Sequence, residues 1–435
     1  STCNLDSSQA LVDSENIDLR YFFLGFGETG RELLKKTFAN NALIDCRYRA
    51  FIFDMKAKKL EAEFYQNCPG FLEELGKKYA DFHFSDNIDV LSEDYYTIIK
   101  ENHAHDNCFF ISLGNDLVNF RTAMHLKRVI ENIALDLKTE ICARIFVSIK
   151  EPGKYYQSLN ANSGELVRIS LIGNLQEIYV FDRIVAQRED LWGRRIDRAY
   201  RILKERNFDI SKENDDLTWN SKSSHYKKES SRMAGINIRS KLQLLGLDLI
   251  PKSEYLQHPE YEALVGELFG EDYGLKEMVF QRDIPQPSAP KYYDLSGNNA
   301  DYERLKAIYR DYSHPATNIA RQEHWRWNCF SLISGWRPLP YEQDEPYALN
   351  VDYSIVNQNA RLKRHMNLVD WEELVAFVPY VSAKISKQLN INEEELKAKI
   401  YYNNDICKYD YFTIFGLTAI IEGTDYLICR KKEQK

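Results

Sequence analysis

The stretch that decides the fold is Tyr21-Phe22-Phe23-Leu24-Gly25-Phe26-Gly27-Glu28-Thr29-Gly30-Arg31. It passes from an apolar strand into the spacing G-x-G-x-x-G, which is typical of the first turn of a dinucleotide-binding βαβ unit. Gly25 permits the tight turn, Gly27 lets the backbone approach a diphosphate, and Gly30 lets helix and strand pack closely. The alternative interpretation is a related fold that keeps these glycines only for packing.

The residues after the turn predict how a nucleotide is held. The helix from Arg31 to Phe38 offers free N–H groups and the positive end of its dipole to phosphate oxygens. Asp54 ends the next apolar run, and its carboxylate can accept both hydroxyls of a ribose while repelling a 2′-phosphate. The expected cofactor is therefore NAD(H) or another adenine nucleotide. Its predicted contacts at these two strand ends are Gly25, Phe26, Gly27, Glu28, Thr29, Gly30, Asp54 and Met55.

The composition is that of an ordinary globular chain. Its 435 residues are enough for two or three domains, and a hydrophobic content of 44% is usual for such proteins. A net charge of −8 argues against a general nucleic-acid binder, which carries a strongly basic domain. The eight cysteines contain no C-x-x-C pair, which fits a reducing compartment. Because there is neither a long apolar run nor a secretory signal, we expect a cytoplasmic protein or the cytosolic part of a membrane assembly.

Strands and helices alternate through residues 19–183. Strands that alternate with helices predict an α/β fold with a doubly wound parallel sheet, whose ligand lies where the strand order reverses. The longest helix of this region is expected from Leu117 to about Leu137. The predicted strands are Tyr21–Gly25, Ala50–Asp54, Phe82–Phe84, Asn107–Leu113, Ala143–Ile149 and Glu177–Phe181.

The rest of the chain is expected to be mainly α-helical. A helix is predicted over Leu191–Arg206, a polar and loop-rich segment over Ser211–Ser231, and an amphipathic helix over Met233–Leu247. The last helical region is expected to be broken by a loop at Pro338–Asn350. These patterns divide the chain into a polar N-terminal segment (1–18), an α/β domain (19–183), a helical region (184–283), a proline-rich linker (284–300) and a C-terminal helical domain (301–435). The polar opening fits a chain cut from a longer protein.

A second motif stands at the end of the fourth predicted strand. The sequence there is Ser112-Leu113-Gly114-Asn115-Asp116-Leu117-Val118-Asn119. Because the carboxyl ends of neighbouring parallel strands face one crevice, we expect these polar groups to meet the glycine turn. The candidate nucleotide contacts here are Gly114, Asn115, Asp116 and Asn119, with Asp86 from the third strand.

Together these motifs resemble the potassium-transport regulatory nucleotide-binding domain, the TrkA-N or RCK type of Rossmann fold. The resemblance covers residues 19–183 and includes Ser85-Asp86-Asn87-Ile88-Asp89 followed by Leu91, where Ser85 replaces the family's glycine. It implies a homodimer that binds NAD(H) or an adenine nucleotide and switches a membrane channel or another effector. It implies no hydride transfer, and neither Tyr96…Lys100 nor Tyr200…Lys204, the two Y-x-x-x-K matches, lies on the helix that hydride chemistry would need.

The second half carries another signature. Glu323-His324-Trp325-Arg326-Trp327 precedes Gly335-Trp336-Arg337, and Leu368–Leu374 and Lys408-Tyr409-Asp410 follow. This resembles the ryanodine-receptor-type (RyR) repeat, which also occurs in bacterial proteins beside nucleotide-signalling and ion-channel modules. Tyr411 and Pro338 depart from the repeat's pattern. A degenerate earlier copy is visible in Ile196–Tyr200 (with Asp197 in place of histidine), Trp219, Lys228–Arg232 and Leu242–Leu247.

The aromatic and basic residues of the C-terminal repeat form a second candidate ligand site. The set consists of His324, Trp336, Arg337, Lys363, His365 and Trp371. Basic groups beside tryptophan can hold a phosphate or a stacked base, although tryptophans at such positions also serve as core. Three functions stay open: a non-catalytic nucleotide-sensing regulator, an NAD-dependent oxidoreductase with His324 or His365 as proton donor, and a structural interaction protein with an empty crevice. The sequence shows no metal cluster, Walker loop or G-x-S-x-G elbow.

Overall fold

The computed structural model describes residues 19–40, 43–44, 46–86, 92–103, 106–155, 166–175, 190–204, 215–221, 224–254, 307–340, 348, 355–390, 392, 406–407, 409–411, 420–421 and 424–430. The N-terminal segment, the proline-rich linker, the predicted strand Glu177–Phe181 and the motif residues 87–91 lie outside the described residues. The chain divides into two compact units, one of Ser14–Arg188 with Leu332–Gly335 and one of the remaining residues. We call them the sheet unit and the helical unit.

The described part of the sheet unit contains six parallel strands. They are β1 (Leu19–Leu24), β2 (Tyr48–Asp54), β3 (Ala80–Asp86), β4 (Asp106–Ile111), β5 (Ala143–Ser148) and β6 (Val167–Ile172). Their order is β3-β2-β1-β4-β5-β6, so the direction of the chain's progress across the sheet reverses between β1 and β4. The predicted α/β fold with a parallel, Rossmann-like sheet is confirmed, and the reversal lies at the predicted glycine turn.

Within the same described ranges, five α-helices and two short 3-10 helices accompany the sheet. They are α1 (Glu28–Asn40), α2 (Ala57–Asn67), α3 (Glu74–Tyr79), α4 (Glu93–Glu101) and α5 (Asp116–Leu137), with 3-10 turns at Pro69–Leu72 and Pro152–Lys154. The central strands are apolar because both sheet faces are covered. Phe22 of β1 is fully buried, and its ring stacks on Phe51 of β2 at 4.9 Å and on Phe109 of β4 at 4.6 Å. Each buried ring contributes roughly 1.5–3 kcal/mol through the hydrophobic effect, which locks the register of the three strands that surround the turn.

The strand β6 was not predicted. Its sequence, Val-Arg-Ile-Ser-Leu-Ile, alternates apolar and polar residues, and its burial alternates in step. Alternation of this kind is typical of a strand with one covered face. A central strand with both faces covered is instead marked by a continuous apolar run, which β6 lacks. The strand at this edge of the described sheet is therefore the one that was not predicted from the sequence.

The helical unit is mainly α-helical, as predicted. Its helices are α6 (Asp190–Lys204), α7 (Asp215–Ser221), α8 (His225–Leu244), α9 (Pro315–Ile333) and α10 (Trp371–Leu389), with a 3-10 turn at Lys252–Glu254. Three short strands, β8 (Arg337–Pro338), β9 (Gln358–Asn359) and β10 (Arg364–His365), form a small sheet in the order β8-β10-β9. Two further strands, β7 (Leu247–Pro251) and β11 (Tyr426–Arg430), pair antiparallel.

Two predictions for this half were wrong. The segment Ser211–Ser231 was expected to be loop-rich, but helices α7 and α8 occupy much of it. Ser224 caps α8 by accepting a hydrogen bond from the Lys227 N–H at 3.3 Å. A capped start lets polar residues continue a helix whose other face is buried. The C-terminal region was expected to stay helical, yet it contains β11, whose partner β7 is remote in sequence. Local periodicity does not reveal such a pairing.

Among the described residues, no helix combines the length and the apolar character that crossing a bilayer requires.

Candidate functional site

Two of the three glycines in the turn after β1 are required by the fold. Gly25 has φ +89°, and a Cβ added there would lie 2.5 Å from the Ser112 carbonyl oxygen at the end of β4. A Cβ at Gly30 would lie 2.2 Å from the Gly25 carbonyl oxygen. Gly25 also donates its N–H to the Phe53 carbonyl at 2.9 Å, and the Ser112 hydroxyl donates to the Gly25 carbonyl at 3.1 Å. The turn is thus fixed to both neighbouring strands.

Gly27 is different because nothing in its surroundings requires a glycine. A Cβ added there would have no described heavy atom within 4 Å, and the residue is exposed with an ordinary φ. Packing therefore explains Gly25 and Gly30 but leaves Gly27 unexplained. Open space over the middle glycine is what a diphosphate needs in order to approach the backbone.

Helix α1 begins directly behind this open space. Its first residue is Glu28, and the N–H groups of Glu28, Thr29 and Gly30 have no acceptor within the helix because they belong to its first turn. The first helical hydrogen bond runs from the Arg31 N–H to the Gly27 carbonyl at 3.0 Å. Free N–H groups and the positive end of the helix dipole therefore point out of the turn, which is the arrangement that binds phosphate.

Asp54 connects the end of β2 to the glycine turn. One carboxylate oxygen accepts the Phe26 N–H at 2.8 Å and the other accepts the Lys56 N–H at 2.9 Å. Each oxygen of an ionised carboxylate can accept a second hydrogen bond, and Asp54 is half-exposed. The side chain can therefore still receive ribose hydroxyls. Phe26 contributes its backbone only, because its ring is fully buried.

The polar residues predicted at the end of β4 hold the loop in place. Asn115 caps α5 by accepting the N–H groups of Leu117 and Val118 at 2.9 and 3.2 Å. Asn119 is buried, accepts the Leu113 N–H at 2.6 Å and donates to the Ser148 carbonyl at 2.7 Å, so its amide joins the ends of β4 and β5. Both amide functions are occupied, which makes Asn119 a positioning residue. Gly114 is exposed, with φ +85° and open space around it.

Two other predicted acids also bind backbone amides. Asp86, at the end of β3, accepts the Lys58 N–H at 2.8 Å. Asp116 accepts the N–H groups of Lys150 and Glu151 at 3.0 and 3.1 Å. These hydrogen bonds to backbone N–H groups hold both carboxylates in place. These acids stabilise the edge of the sheet at which the strands end.

Exposed apolar side chains stand at the same strand ends. Met55 follows β2 with 82% of its surface exposed, and Leu113, Leu117 and Val118 follow β4 with roughly two-fifths to half exposed. We call these four residues the apolar rim. Large apolar side chains exposed together often mark a binding surface, and an aromatic base could cover them. Met55 was among the predicted contacts, but the other three were not, although they lie within the motif quoted for the end of β4.

The second candidate set falls into a buried part and a surface part. His324 and Trp371 are buried: the His324 Nε2 atom donates to the Val369 carbonyl at 2.8 Å, and the Trp371 Nε1 atom donates to the Tyr309 carbonyl at 2.8 Å. Trp371 belongs to the main hydrophobic core of this unit. These two residues are core elements.

The small sheet of the helical unit brings the other four together. The Arg337 N–H donates to the Lys363 carbonyl at 2.8 Å, and the ring centroids of Trp336 and His365 are 5.8 Å apart. Lys363 is exposed and has φ +49°, whereas Trp336 and His365 are buried. Burial lowers the pKa of His365 to about 4, and neighbouring His324 adds to the effect. His365 is therefore neutral at pH 7, so the charge on this surface comes from the arginine and lysine side chains.

The helical unit contains a buried ionic cluster that was not predicted from the sequence. Glu323 of α9 accepts two hydrogen bonds from Arg326, both at 2.8 Å, and forms an ion pair with Lys241 of α8. All three side chains are almost fully buried. Burial alone would raise the pKa of Glu323, but Arg326 and Lys241 outweigh it and hold the pKa at about 2. Arg326, which stands between Trp325 and Trp327 in the sequence, is thus committed to Glu323.

No family model matches the chain, and no curated protein and no solved structure matches it either. Among the described residues, no group of three or more His, Cys, Asp or Glu side chains is arranged to hold a metal ion.

Proposed function

We propose that the protein is a non-catalytic, nucleotide-sensing regulator whose sheet unit binds NAD(H) or another adenine nucleotide. The observation that carries the proposal is the open space at Gly27. It lies between two glycines that packing requires, beside the start of α1 and near the half-exposed carboxylate of Asp54. A fold that kept its glycines only for packing would have no need of Gly27.

Each part of the proposed ligand would contact a different part of the crevice. The diphosphate would rest on the N–H groups at the start of α1, and the adenosine ribose would meet Asp54. Met55 would cover one face of the base, while Leu113, Leu117 and Val118 would contact the other half of the ligand. In a doubly wound sheet this is the crevice at which the strand order reverses, between β1 and β4.

The proposed output is a change in a partner protein. By the resemblance to the RCK type, the protein would act as a cytosolic homodimer on a membrane channel or another effector. We also propose that the helical unit consists of two RyR-type repeats. In support, β7 follows the earlier similar segment, β11 follows the later one, and the two strands pair with each other.

The alternative function, an NAD-dependent oxidoreductase, has weaker support. Its candidate proton donors are buried: the Nε2 atom of His324 faces the Val369 carbonyl and its Nδ1 atom lies 3.5 Å from the Asp410 carboxylate. His365 has a lowered pKa and is uncharged at pH 7. A turnover assay that follows NADH absorbance with a panel of metabolites distinguishes the two functions, because only an oxidoreductase consumes the cofactor.

The direct test is native mass spectrometry of the purified protein, followed by calorimetric titration with NAD. We expect a retained adenine nucleotide, or saturable binding of NAD. If neither adenine nucleotides nor dinucleotides bind, the crevice is empty and the protein is a structural interaction protein.

Asp54 should make the crevice prefer NAD(H) over NADP(H). A 2′-phosphate would lie against the Asp54 carboxylate, which would repel it. The phosphate would also replace one ribose hydroxyl from which this carboxylate can accept a hydrogen bond. We expect at least about a tenfold difference in Kd, equivalent to about 1.4 kcal/mol. Calorimetry of both cofactors measures it, and Asp54→Asn should reduce the ratio. Equal affinities in the unmodified protein would show that Asp54 does not face the ribose.

A second, anionic ligand of the helical unit is a separate proposal. The specific observation is that strand pairing sets Arg337 opposite Arg364, while the Arg337 N–H donates to the carbonyl of the exposed Lys363, next to the buried Trp336. Addition of an adenine nucleotide to the full-length protein should quench tryptophan fluorescence, and the quench should weaken at high salt because phosphate contacts are screened. Replacing Arg337 and Lys363 with alanine should remove the response and leave the melting temperature unchanged.

The control for this experiment is Gly27→Val, which separates the two sites. A quench that survives in Gly27→Val but is lost in the double alanine variant belongs to the helical unit. If the double variant unfolds, the two basic residues are structural. If no nucleotide produces a quench, the partner of this surface is a protein.

A further inference from the structure

The acidic side chains around the crevice differ in what they contact. Asp54, Asp86 and Asp116 all accept hydrogen bonds from backbone N–H groups, as described above. Glu28 is exposed and forms no hydrogen bond or ion pair with any described residue. It is the carboxylate of the glycine turn that no structural contact explains.

The position of Glu28 brings its charge close to any bound phosphate. It follows Gly27 directly and is the first residue of α1, so its carboxylate stays within one side-chain length of the free N–H groups. In the absence of a ligand, a carboxylate at the start of a helix is stabilised by the helix dipole. A phosphate on the same N–H groups takes that favourable position and is also repelled by the carboxylate, and the repulsion grows with the charge of the phosphate.

Nearby cations on α1 do not offset this charge. Arg31 lies 3.3 Å from the Glu63 carboxylate, and Lys35 lies 2.9 Å from the Glu32 carboxylate. The basic residues closest to Glu28 along the helix are thus shared with other acids. The start of α1 carries a dipole that attracts phosphate and a full negative charge that limits how much phosphate charge it accepts.

We propose that Glu28 is a specificity-determining residue that makes the crevice select nucleotides by their phosphate charge. The inference rests on the proposed function and narrows it. A diphosphate diester such as NAD carries two negative charges between its nucleosides. The terminal phosphate of ADP is not esterified and therefore carries further charge, and ATP adds a third phosphate. The ligand class is therefore an adenine dinucleotide or a similar diphosphate diester, and ADP and ATP are disfavoured.

The test is calorimetric titration of the full-length protein with NAD, ADP and ATP in a buffer that contains EDTA, so that no divalent cation neutralises the phosphates. The unmodified protein should bind NAD at least about tenfold more tightly than ATP. Glu28→Gln should reduce this ratio by about tenfold, mainly by raising the affinity for ATP. The matched control is Glu93→Gln, which removes an exposed carboxylate from the first residue of another helix, α4, and should leave the ratio unchanged.

Three results would overturn the inference, and they are distinguishable. If Glu28→Gln leaves the NAD-to-ATP ratio unchanged, Glu28 does not face the phosphates. If the unmodified protein prefers ATP, the crevice does not select against phosphate charge. If neither the unmodified protein nor Glu28→Gln binds any of the three nucleotides, the proposed function itself is wrong and the inference falls with it.

Discussion

Gly27→Val should abolish binding of NAD(H) and leave the fold unchanged. A Cβ at this position meets no described atom and the backbone φ is ordinary, so the protein accepts a side chain there. In the proposed complex the two methyl groups of valine would occupy the volume of the diphosphate. We expect the affinity to fall at least about a hundredfold, which corresponds to about 2.7 kcal/mol. Calorimetry measures the affinity, and circular dichroism measures the melting temperature.

The matched control is Gly25→Val, at a glycine that the fold requires. Its Cβ would lie 2.5 Å from the Ser112 carbonyl oxygen on a backbone with φ +89°. This variant should therefore lose stability, whereas Gly27→Val should not. Unchanged NAD affinity in a folded Gly27→Val protein would show that the diphosphate does not bind at the turn.

Glu323→Ala should produce a large loss of stability in the helical unit. It leaves Lys241 and Arg326 buried without their carboxylate, and breaking a buried ion pair in this way costs about 3–5 kcal/mol. Urea unfolding followed by tryptophan fluorescence measures the change. The control is Arg239→Ala, which removes an exposed ion pair with Asp248 in the same unit and should cost at most about 1 kcal/mol.

The ion pair also predicts how stability responds to acid. The pKa of Glu323 is lowered in the folded protein to about 2, from an ordinary value of 4.5. A lowered folded pKa contributes stability above the unfolded pKa, and this contribution is lost as the pH falls. The difference in stability between the unmodified protein and Glu323→Ala should therefore shrink between about pH 4.5 and pH 2. A difference that stays constant over this range would show that Glu323 is not held ionised by its partners.

The sequence was sufficient to predict the central strands of the sheet because the signals that mark them are local. A strand, a glycine turn and a helix start are contiguous, and continuous apolar runs mark β1, β2, β4 and β5. The turn, Asp54 and the end of β4 were predicted at the positions where the structure has them. The edge strand β6 was missed because its alternating pattern is weaker than that of a central strand.

Contacts between residues that are far apart in the chain could not be predicted from the sequence pattern. Asn119 was predicted from the sequence as a nucleotide contact, and the structure shows that its amide joins the ends of two strands. Lys241 reads as a solvated lysine on an amphipathic helix, yet it is buried against Glu323. In the same way, Trp371 and His324 are of the residue types that bind ligands, and only the structure shows that they belong to the interior. Residue type predicts chemistry, whereas burial decides whether that chemistry can meet a ligand.

The hydrogen bonds of Asp54 to the Phe26 and Lys56 N–H groups have a consequence for the timing of binding. They fix the turn to the end of β2 without a ligand, so association of the proposed nucleotide would not wait for a loop to close. When arrival rates are similar, affinities differ through the time that each ligand remains bound. A regulator built in this way would distinguish nucleotides by their residence times: a well-matched ligand persists long enough to act on a partner, and a poorly matched one leaves first.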